Sequence, residues 1–224
     1  MIVQHNITSM NANRQLGIVG GNLAKSTEKL SSGYRINRAA DDAAGLAISE
    51  KMRAQVRGLN RASDNAQDGI SLIQTAEGAM DQQHAILQRA RELVVQASNS
   101  GVLDKDSDDD FQKIQDELNE IGKEFERINT DTEFNKKKLL DGTYKGQYFQ
   151  VGANKEQGIS VTIAKTAWAN PTITDGNGKG NSAVIDTIDT MIKGVTTERS
   201  KLGAVQNRLE YTVKVDDNTA ENMQ

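Results

Sequence analysis

Hydrophobic residues recur with a seven-residue period throughout the stretch from Gly58 to Ser98. One heptad position holds mainly large apolar side chains, at Leu59, Ala66, Ile73, Met80, Leu87 and Val94. The position three residues later holds mainly small ones, at Ala62, Gly69, Ala76, Gln83, Ala90 and Ala97. The pattern predicts a helix of about 60 Å whose small side chains let a neighbouring helix approach closely. A helix of this length favours a structural protein over one built around a pocket.

Two further segments carry helical periodicity. In the second, apolar residues are spaced by three and four, at Phe111, Ile114, Leu118, Ile121, Phe125 and Ile128. We expect this helix to pack antiparallel on the first, which ends at Asn99-Ser100-Gly101. A third helix is predicted from Ser182 onward, where Arg199 and Gln206 occupy two positions of the apolar seam. Its other seam residues are Ile185, Ile188, Ile192, Val195, Leu202 and Leu209.

The region from Phe134 to Asn181 has a different pattern. Residues 147–151 and 159–163 are short β-prone runs, and residues 152–158 between them contain turn-forming residues. They predict a β-hairpin. Asp175–Gly180 is rich in glycine and predicts an exposed loop.

The first 30 residues predict only a weak helix. Their apolar stripe consists of Ile7, Met10, Leu16, Val19, Leu23 and Leu30. Three glycines each weaken the helix by about 1 kcal/mol relative to alanine, at Gly17, Gly20 and Gly21. We expect this arm to be helical only where a partner covers the stripe, and frayed otherwise. After a break at Ser31–Gly33, the stretch Tyr34–Arg57 begins irregularly and turns helical at Asp41 and Asp42, whose carboxylates suit a helix N-terminus.

Composition and charge exclude several classes of protein. The 224 residues include no cysteine, so disulfides, thiolate metal sites and cysteine nucleophiles are excluded. The two histidines, His5 and His84, lie in different segments. The net charge is -4 with both signs interspersed, which points to neither nucleic acid nor an anionic membrane as a partner. No apolar run approaches the ~20 residues of a membrane span. We therefore predict no catalytic, cofactor or metal site, and no enzyme activity.

Two polar segments and one histidine raise alternatives that the sequence does not favour. The acidic run Asp104–Asp110 could suggest calcium, but an EF-hand loop needs glycine and glutamate where this run has Asp109 and Gln115. A solvated loop that favours the next helix N-terminus is the better interpretation. Asp175–Gly180 lacks the trailing Lys-Ser/Thr of a phosphate-binding loop. No second ligand lies near His84, which is interpreted as a surface or packing residue.

Two adjacent segments carry the most specific motif of the chain, LSSGYRIN at 30–37 and DDAAG at 41–45. Together they resemble the N-terminal signature of bacterial flagellins. Further stretches are similar to flagellins and follow the family's order, at residues 65–70, 87–96, 134–135, 150–154 and 202–208. Because the matches span almost the whole chain, it is identified as a member of the flagellin family.

The resemblance implies a mainly α fold, an elongated antiparallel helical rod or coiled-coil bundle with a small β-hairpin region between its N- and C-terminal halves. Residues 1–42 would form an inner-core arm. Residues 43–181 would form the N-terminal part of a rod domain, and residues 182–224 its truncated C-terminal helix. Roughly 50 residues separate Phe134 from Ile185, which leaves no room for a large outer domain.

Two departures from the family pattern lie near the end of the sequence. The helical pattern runs to Gln224 without a stop signal, whereas flagellins normally continue with an Arg- and Ala-rich helix. The last helix therefore looks cut, which puts filament assembly and chaperone binding at this end in doubt. Asp216 and Asp217 also stand where the family usually has a more apolar, Asn-containing turn.

The implied function is that of a structural subunit that polymerises into the flagellar filament for motility. Such a subunit would be exported unfolded by the flagellar secretion system and would be extracellular. The implied partners are other copies of the chain, the export machinery and its chaperone, hook–filament junction and cap proteins, and a host Toll-like receptor. The alternative is a binding module, either a non-polymerising flagellin-like protein or a hook–filament junction protein. An enzyme inserted in this scaffold is not favoured, because the middle region is small and poor in catalytic residues.

One group of residues is a candidate binding surface. Arg89 and Leu93 are four residues apart and share a helix face, Gln96 follows nearby, and Glu117 on the antiparallel second helix could lie beside them. The residues alone favour a solvent-exposed face with an ion pair between helices. The resemblance instead assigns Arg89, Leu93, Gln96 and Glu117 to the surface recognised by the flagellin-sensing Toll-like receptor.

Overall fold

A computed structural model of the chain describes residues 6–99, 101–103, 110–174 and 178–224. These residues form four helices and two antiparallel strand pairs. In chain order the elements are α1 (Ile7–Ser32), α2 (Ala43–Ala97), α3 (Asp110–Asp131), β1 (Glu133–Phe134), β2 (Lys137–Lys138), β3 (Gln147–Gln150), β4 (Gly158–Val161) and α4 (Gly178–Met223). The prediction of a mainly α fold with a small β region is confirmed. The chain divides into two compact units, Met1–Gln55 with Met223–Gln224, and Val56–Asn222.

In the first unit, α1 is a continuous helix although none of its residues is buried. The Asn6 side chain accepts a hydrogen bond from the Ser9 N–H at 3.1 Å and caps its N-terminus. At the other end Gly33 adopts φ 72°, and its N–H donates to the Lys29 carbonyl. The structure thus shows the arm as one helix with both ends capped, and its fraying without a covering partner stays a prediction.

The link between α1 and α2 is fixed by an ion pair and a second cap. Lys25 Nζ lies 3.0 Å from Asp41 Oδ1, and this hydrogen bond lowers the pKa of the Asp41 carboxyl. The Asp42 carboxylate accepts the Gly45 N–H at 2.8 Å, so α2 begins at Ala43. The predicted helix start at Asp41-Asp42 is confirmed.

Helix α2 confirms the heptad pattern and extends it. Every residue of the two predicted rows is buried. The segments Tyr34–Arg57 and Gly58–Ser98 were predicted as separate stretches, but one helix runs without a break from Ala43 to Ala97. A third row beside them was not predicted. It is buried or half-buried, at Leu72, Ala79, Ile86 and Leu93. In the second unit α2 therefore packs over a wider face than a two-row seam.

Helix α3 packs antiparallel on α2, as predicted. Gln83 Nε2 donates to Asn129 Oδ1 at 2.8 Å inside the core, and Arg89 pairs with Glu117 further along. Residue numbers thus rise along α2 while they fall along α3. Because Gln83 and Asn129 are only 1% exposed, this buried amide pair fixes the register of the two helices.

Helix α4 is also antiparallel to α2. Arg91 pairs with Asp189 at 2.8 Å, and Arg199, predicted at a seam position, pairs with Asp81 at 2.9 Å. The predicted row at Ile188, Val195, Leu202 and Leu209 is buried. Its buried neighbours are Met191 and Glu198, whereas Ile185 and Ile192 on the other side are only half-buried.

The start of α4 differs from the prediction. Gly178–Gly180 belongs to the helix and not to an exposed loop, while residues 175–177 of the predicted loop lie outside the described residues. Asn181 explains the early start, because it is fully buried and its Nδ2 donates to the Ala97 carbonyl at 3.1 Å. This anchor holds the first turn in place against the small cost of its glycines.

The β region contains the predicted hairpin and one that was not predicted. Strands β3 and β4 pair antiparallel from Gln147↔Val161 to Gln150↔Gly158, which confirms the hairpin. The shorter pair β1–β2 is joined by Asn135 (φ 48°) and Lys136 (φ 63°). Two left-handed residues in a two-residue loop are typical of a type I′ turn, whose usual Asn-Gly signature is absent here.

A connecting segment, Ala164–Thr174, links β4 to α4 without regular secondary structure. Side chains of the helices bind its main chain at intervals. Asn129 Nδ2 donates to the Thr166 carbonyl, and the Gln115 side chain both donates to the Pro171 carbonyl and accepts from the Ile173 N–H. These bonds replace the backbone partners that a strand would supply.

Candidate interaction surface

The surface of α2 and α3 around Arg89 contains most of the predicted receptor-binding residues. The Arg89 guanidinium donates from Nη2 and Nε to Glu117 Oε1, at 2.7 and 3.0 Å. A third bond, from Nη1, reaches Glu92 Oε2 at 3.3 Å. Both partners of the main pair are well exposed, since 54% of the Arg89 and 45% of the Glu117 side chain is accessible. The structure thus brings together two of the four predicted residues.

The Arg89–Glu117 ion pair is suited to binding a partner and contributes little to the stability of the fold. The hydrogen bonds that Arg89 donates to Glu117, together with the charge of Glu117, raise the pKa of Arg89 above its ordinary value. The guanidinium therefore stays charged, while its exposure keeps the contribution of the pair to folding small. Arginine carries more N–H donors than these three bonds use, so a partner's carbonyl or carboxylate can still bind.

Leu93 does not fit the predicted surface role. Its side chain is only 2% exposed and belongs to the hydrophobic core. The reason follows from the face that it shares with Arg89, because this face turns toward α3. The long Arg89 side chain reaches Glu117 from there, whereas the shorter Leu93 is covered. The interpretation that the leucine itself contacts a partner is therefore corrected.

Gln96 is exposed near the end of α2. Its carbonyl accepts the Asn99 N–H at 3.0 Å in the turn that follows. The predicted residues thus divide into an exposed ion pair, an exposed glutamine and a core leucine. The third heptad row that contains Leu93 is the sequence signal that could have identified the leucine as a core residue.

Within the described residues, no cluster of three or more His, Asp or Glu side chains could hold a metal ion. His84 is half-buried, with its Nε2 3.4 Å from Gln88 Nε2. Most of the acidic run Asp104–Asp110, considered as a calcium site, lies outside the described residues. In the described part of the chain, no helix combines the length and apolar character needed to span a bilayer.

A second candidate surface is the apolar face of α1, defined by Ile7, Met10, Leu16, Val19, Leu23 and Leu30. These side chains are between 61% and 87% exposed. Isolated apolar side chains are common on protein surfaces, but a continuous stripe along one helix marks an interaction site. The arrangement can bind another helix through the same stripe.

These features define a helical structural protein that assembles with partners. They are the long heptad-patterned helices, the buried amide pair that sets their register, and the helix α1 with its exposed apolar stripe. Residues 3–145 match the family model described as "Bacterial flagellin N-terminal helical region". Residues 185–224 match the one described as "Bacterial flagellin C-terminal helical region". The chain belongs to the bacterial flagellin family.

Relatives support this assignment over the whole chain. A flagellin of Halalkalibacterium halodurans is 52% identical over 231 residues, which cover 100% of this chain and 83% of the relative. A flagellin of Bacillus subtilis is 46% identical and covers 100% of this chain and 84% of its own length. This chain is therefore a structural subunit of the flagellar filament, the external appendage of motile bacteria.

Solved structures agree in fold. The crystal structure of Bacillus cereus flagellin superposes with a TM-score of 0.55 at 26% identity, covering 68% of this chain and 88% of that one. A flagellar hook-associated protein from Vibrio parahaemolyticus gives a TM-score of 0.69 at 12% identity, covering 83% and 97%. The second likeness shows the shared helical fold alone.

Proposed function

We propose that the chain polymerises with other copies of itself through the apolar face of α1. Residues 1–42 form an inner-core arm, and residues 43–181 with residues 182–224 form the rod domain. The observation that carries the proposal is that α1 has no buried residue although its apolar stripe is complete. The same chain acts as a structural protein without catalytic activity.

The size of the stripe is sufficient for assembly. Full burial of one large apolar side chain contributes about 1.5–3 kcal/mol, so the six residues together offer roughly 9–18 kcal/mol. Association costs about 4–15 kcal/mol in lost translational and rotational freedom. The two ranges overlap, so burial of this face covers much of that cost, and contacts between further parts of the subunit add to it.

The test is seeded polymerisation of the full chain with short filament fragments, followed by electron microscopy. The double variant Leu16→Ser/Leu23→Ser removes two members of the stripe, and Asn22→Ser is the matched control on the same helix. Elongation by the wild type and the control, with none by the double variant, supports the proposal. Equal elongation by all three proteins would refute it.

The alternative function is a binding module, either a non-polymerising flagellin-like protein or a hook–filament junction protein. Such a protein would stay monomeric under the conditions in which flagellins elongate seeds. Persistent wild-type monomers in the seeded experiment would select this function over a filament subunit.

The proposal extends to export and to the flagellar partners. The chain passes unfolded through the flagellar secretion system with the help of an export chaperone, and contacts the junction and cap proteins at the filament ends. Family membership supports this route. Expression in cells with and without a working flagellar secretion system tests it, because secretion from both would contradict the route.

The α2–α3 surface is proposed to bind the host Toll-like receptor that senses flagellin, through Arg89, Gln96 and Glu117. Their exposure and the spare donors of Arg89 support this role. Leu93 contributes by holding α2 against the core from which Arg89 projects.

Receptor affinity of single variants tests this surface. Removal of an arginine anchor costs about 2 kcal/mol or more, so Arg89→Ala should weaken binding by roughly 30-fold. Arg91→Ala is the matched control, since Arg91 is a similarly exposed arginine that pairs with Asp189 of α4 instead. Unchanged affinity of Arg89→Ala, or equal losses in both variants, would remove the assignment.

A further inference from the structure

An aspartate occupies a core position of α4. Ile188, Val195, Leu202 and Leu209 form a buried heptad row, and Asp216 is its next member. Its side chain is only 7% exposed. No donor among the described residues lies within hydrogen-bond distance of its Oδ2 atom. A buried carboxylate with an unsatisfied oxygen in a helix seam is costly when it is ionised.

Among the residues that the structure describes, no cationic side chain forms an ion pair with Asp216. Its neighbour Asp217 is exposed and accepts a hydrogen bond from Ser63 Oγ of α2 at 3.0 Å, which places this part of α4 against α2. The charged residues that flank Ser63 in α2 are Arg61 and Asp64. They pair with each other at 3.3 Å and are 76% and 63% exposed.

The other charged side chains in this region also contact groups other than Asp216. The hairpin that packs on the same part of α2 through Ala153 carries Lys155 and Glu156, which are almost fully exposed and pair with each other. On α4 itself, Lys214 lies over the ring of Tyr211 at 5.6 Å. Within the described residues, Asp216 thus has one like charge beside it, Asp217, and no ion-pair partner.

We propose that Asp216 is a pH-sensitive latch in the seam between α2 and α4. The latch segment is Thr212–Asn222. When the Asp216 carboxyl is protonated, it acts as a neutral polar group and the segment packs against α2. When the carboxyl is ionised, the segment opens more often, because opening hydrates the charge. The device is built into the fold of the subunit and does not depend on its assembly.

The sign of the effect is opposite to that of an ordinary salt-bridged aspartate. Burial, followed by repulsion from Asp217, raises the pKa of Asp216 in the folded chain above its ordinary value. The closed state therefore binds a proton more tightly than the open state does. Closure becomes more favourable as pH falls through the raised pKa, and this gain is lost as pH rises above it.

Hydrogen exchange of the monomer, measured at a series of pH values from below the ordinary aspartate pKa up to neutral and corrected for intrinsic rates, tests the latch. In the wild type we expect protection of residues 212–222 to fall as pH rises, by up to about tenfold for each unit of pKa difference between closed and open states. In Asp216→Asn this pH dependence should disappear. In Asp216→Leu the segment should stay protected throughout this pH range.

Two further variants sharpen the test. Glu221→Gln removes an exposed acid from the same segment and should exchange like the wild type. Asp217→Asn removes the neighbouring charge and should move the transition to lower pH without abolishing it. Wild-type pH dependence in both Asp216 variants, or its loss in Glu221→Gln, would overturn the proposal.

Discussion

Gly122 offers the sharpest test of how the core of the Val56–Asn222 unit is packed. It lies buried on α3 directly beneath Trp168 of the connecting segment. A Cβ atom at this position would lie 2.5 Å from Nε1 and 2.7 Å from Cε2 of the indole. Ordinary contacts between such atoms are about 3.5 Å, so Gly122→Ala must push the indole away by roughly 1 Å.

The free energy of this change is the balance of two terms. Alanine in place of glycine inside a helix stabilises by about 1 kcal/mol. Overpacking of a filled core costs about 1–3 kcal/mol, and here it acts on an indole that packs at a tilt of 42° against the fully buried Phe125, with the ring centroids 5.6 Å apart. We therefore expect Gly122→Ala to lower the free energy of unfolding by about 0–2 kcal/mol.

The matched control is Gly78→Ala on α2. Gly78 is exposed, and no atom lies within 4 Å of a Cβ built there. Only the helix-propensity term applies, so this variant should be stabilised by about 1 kcal/mol. The two variants should differ in melting temperature by about 2–4 °C for each kcal/mol between them.

Trp168 is the one tryptophan of the chain, so its fluorescence reports on this site without interference. In Gly122→Ala we expect a red-shifted emission as the indole moves toward solvent, whereas Gly78→Ala should keep the wild-type spectrum. If Gly122→Ala were as stable as Gly78→Ala and its emission were unchanged, the packing of Trp168 on α3 would be refuted.

Three other predictions address two polar contacts and one left-handed backbone conformation. Gln83→Met should destabilise the chain by about 1–3 kcal/mol in denaturant titrations, because it leaves the buried Asn129 Oδ1 without a donor; equal stability would contradict the buried amide pair. Lys136→Gly should raise the free energy of unfolding by about 0.5–1 kcal/mol, since it relieves a left-handed backbone at φ 63°; a loss would show that the lysine has other contacts. The Thr143 side chain, then its N–H, lowers the pKa of Asp141 by hydrogen bonding, so this contribution to stability is present above the ordinary aspartate pKa and is lost as pH falls through the lowered value. Thr143→Val should weaken that acid sensitivity in carboxyl titrations by NMR, and an unshifted Asp141 would disprove the contact.

The heptad rows of α2 show what the sequence determines well. A seven-residue period of apolar and small side chains predicts both the helix and its buried face, and every member of the two rows is buried. The hairpin β3–β4 is equally predictable from the sequence, because alternation places Ile159 and Val161 inward and glycines mark its turn. Patterns repeated along a segment are local information, and these features depend on little else.

The errors arise where a distant contact decides the outcome. The two predicted heptad rows leave Leu93 on the exposed side of α2. Packing of α3 on α2 buries a third heptad row, and Leu93 belongs to this row. Gly178–Gly180 looked like a loop because the anchor at Asn181 depends on the Ala97 carbonyl, 84 positions earlier in the chain. The β1–β2 turn was missed because Lys136 stands where glycine is usual.

The sequence predicts one part of the candidate sites and not the other. The spacing of Arg89 and Glu117 on antiparallel helices was enough to suggest their ion pair. The latch at Asp216 was visible only as an unusual residue, and its significance depends on burial against α2 that periodicity cannot measure.

The manner in which the connecting segment is held has a consequence for sequence variation. The helices recognise mainly its peptide groups, through amide side chains such as Gln115, Asn129 and Asn181. Peptide groups are the same in every amino acid. Foreign epitopes could therefore be introduced by substitution at its solvent-facing positions and displayed on every subunit. The three amide side chains and the tryptophan have to be retained.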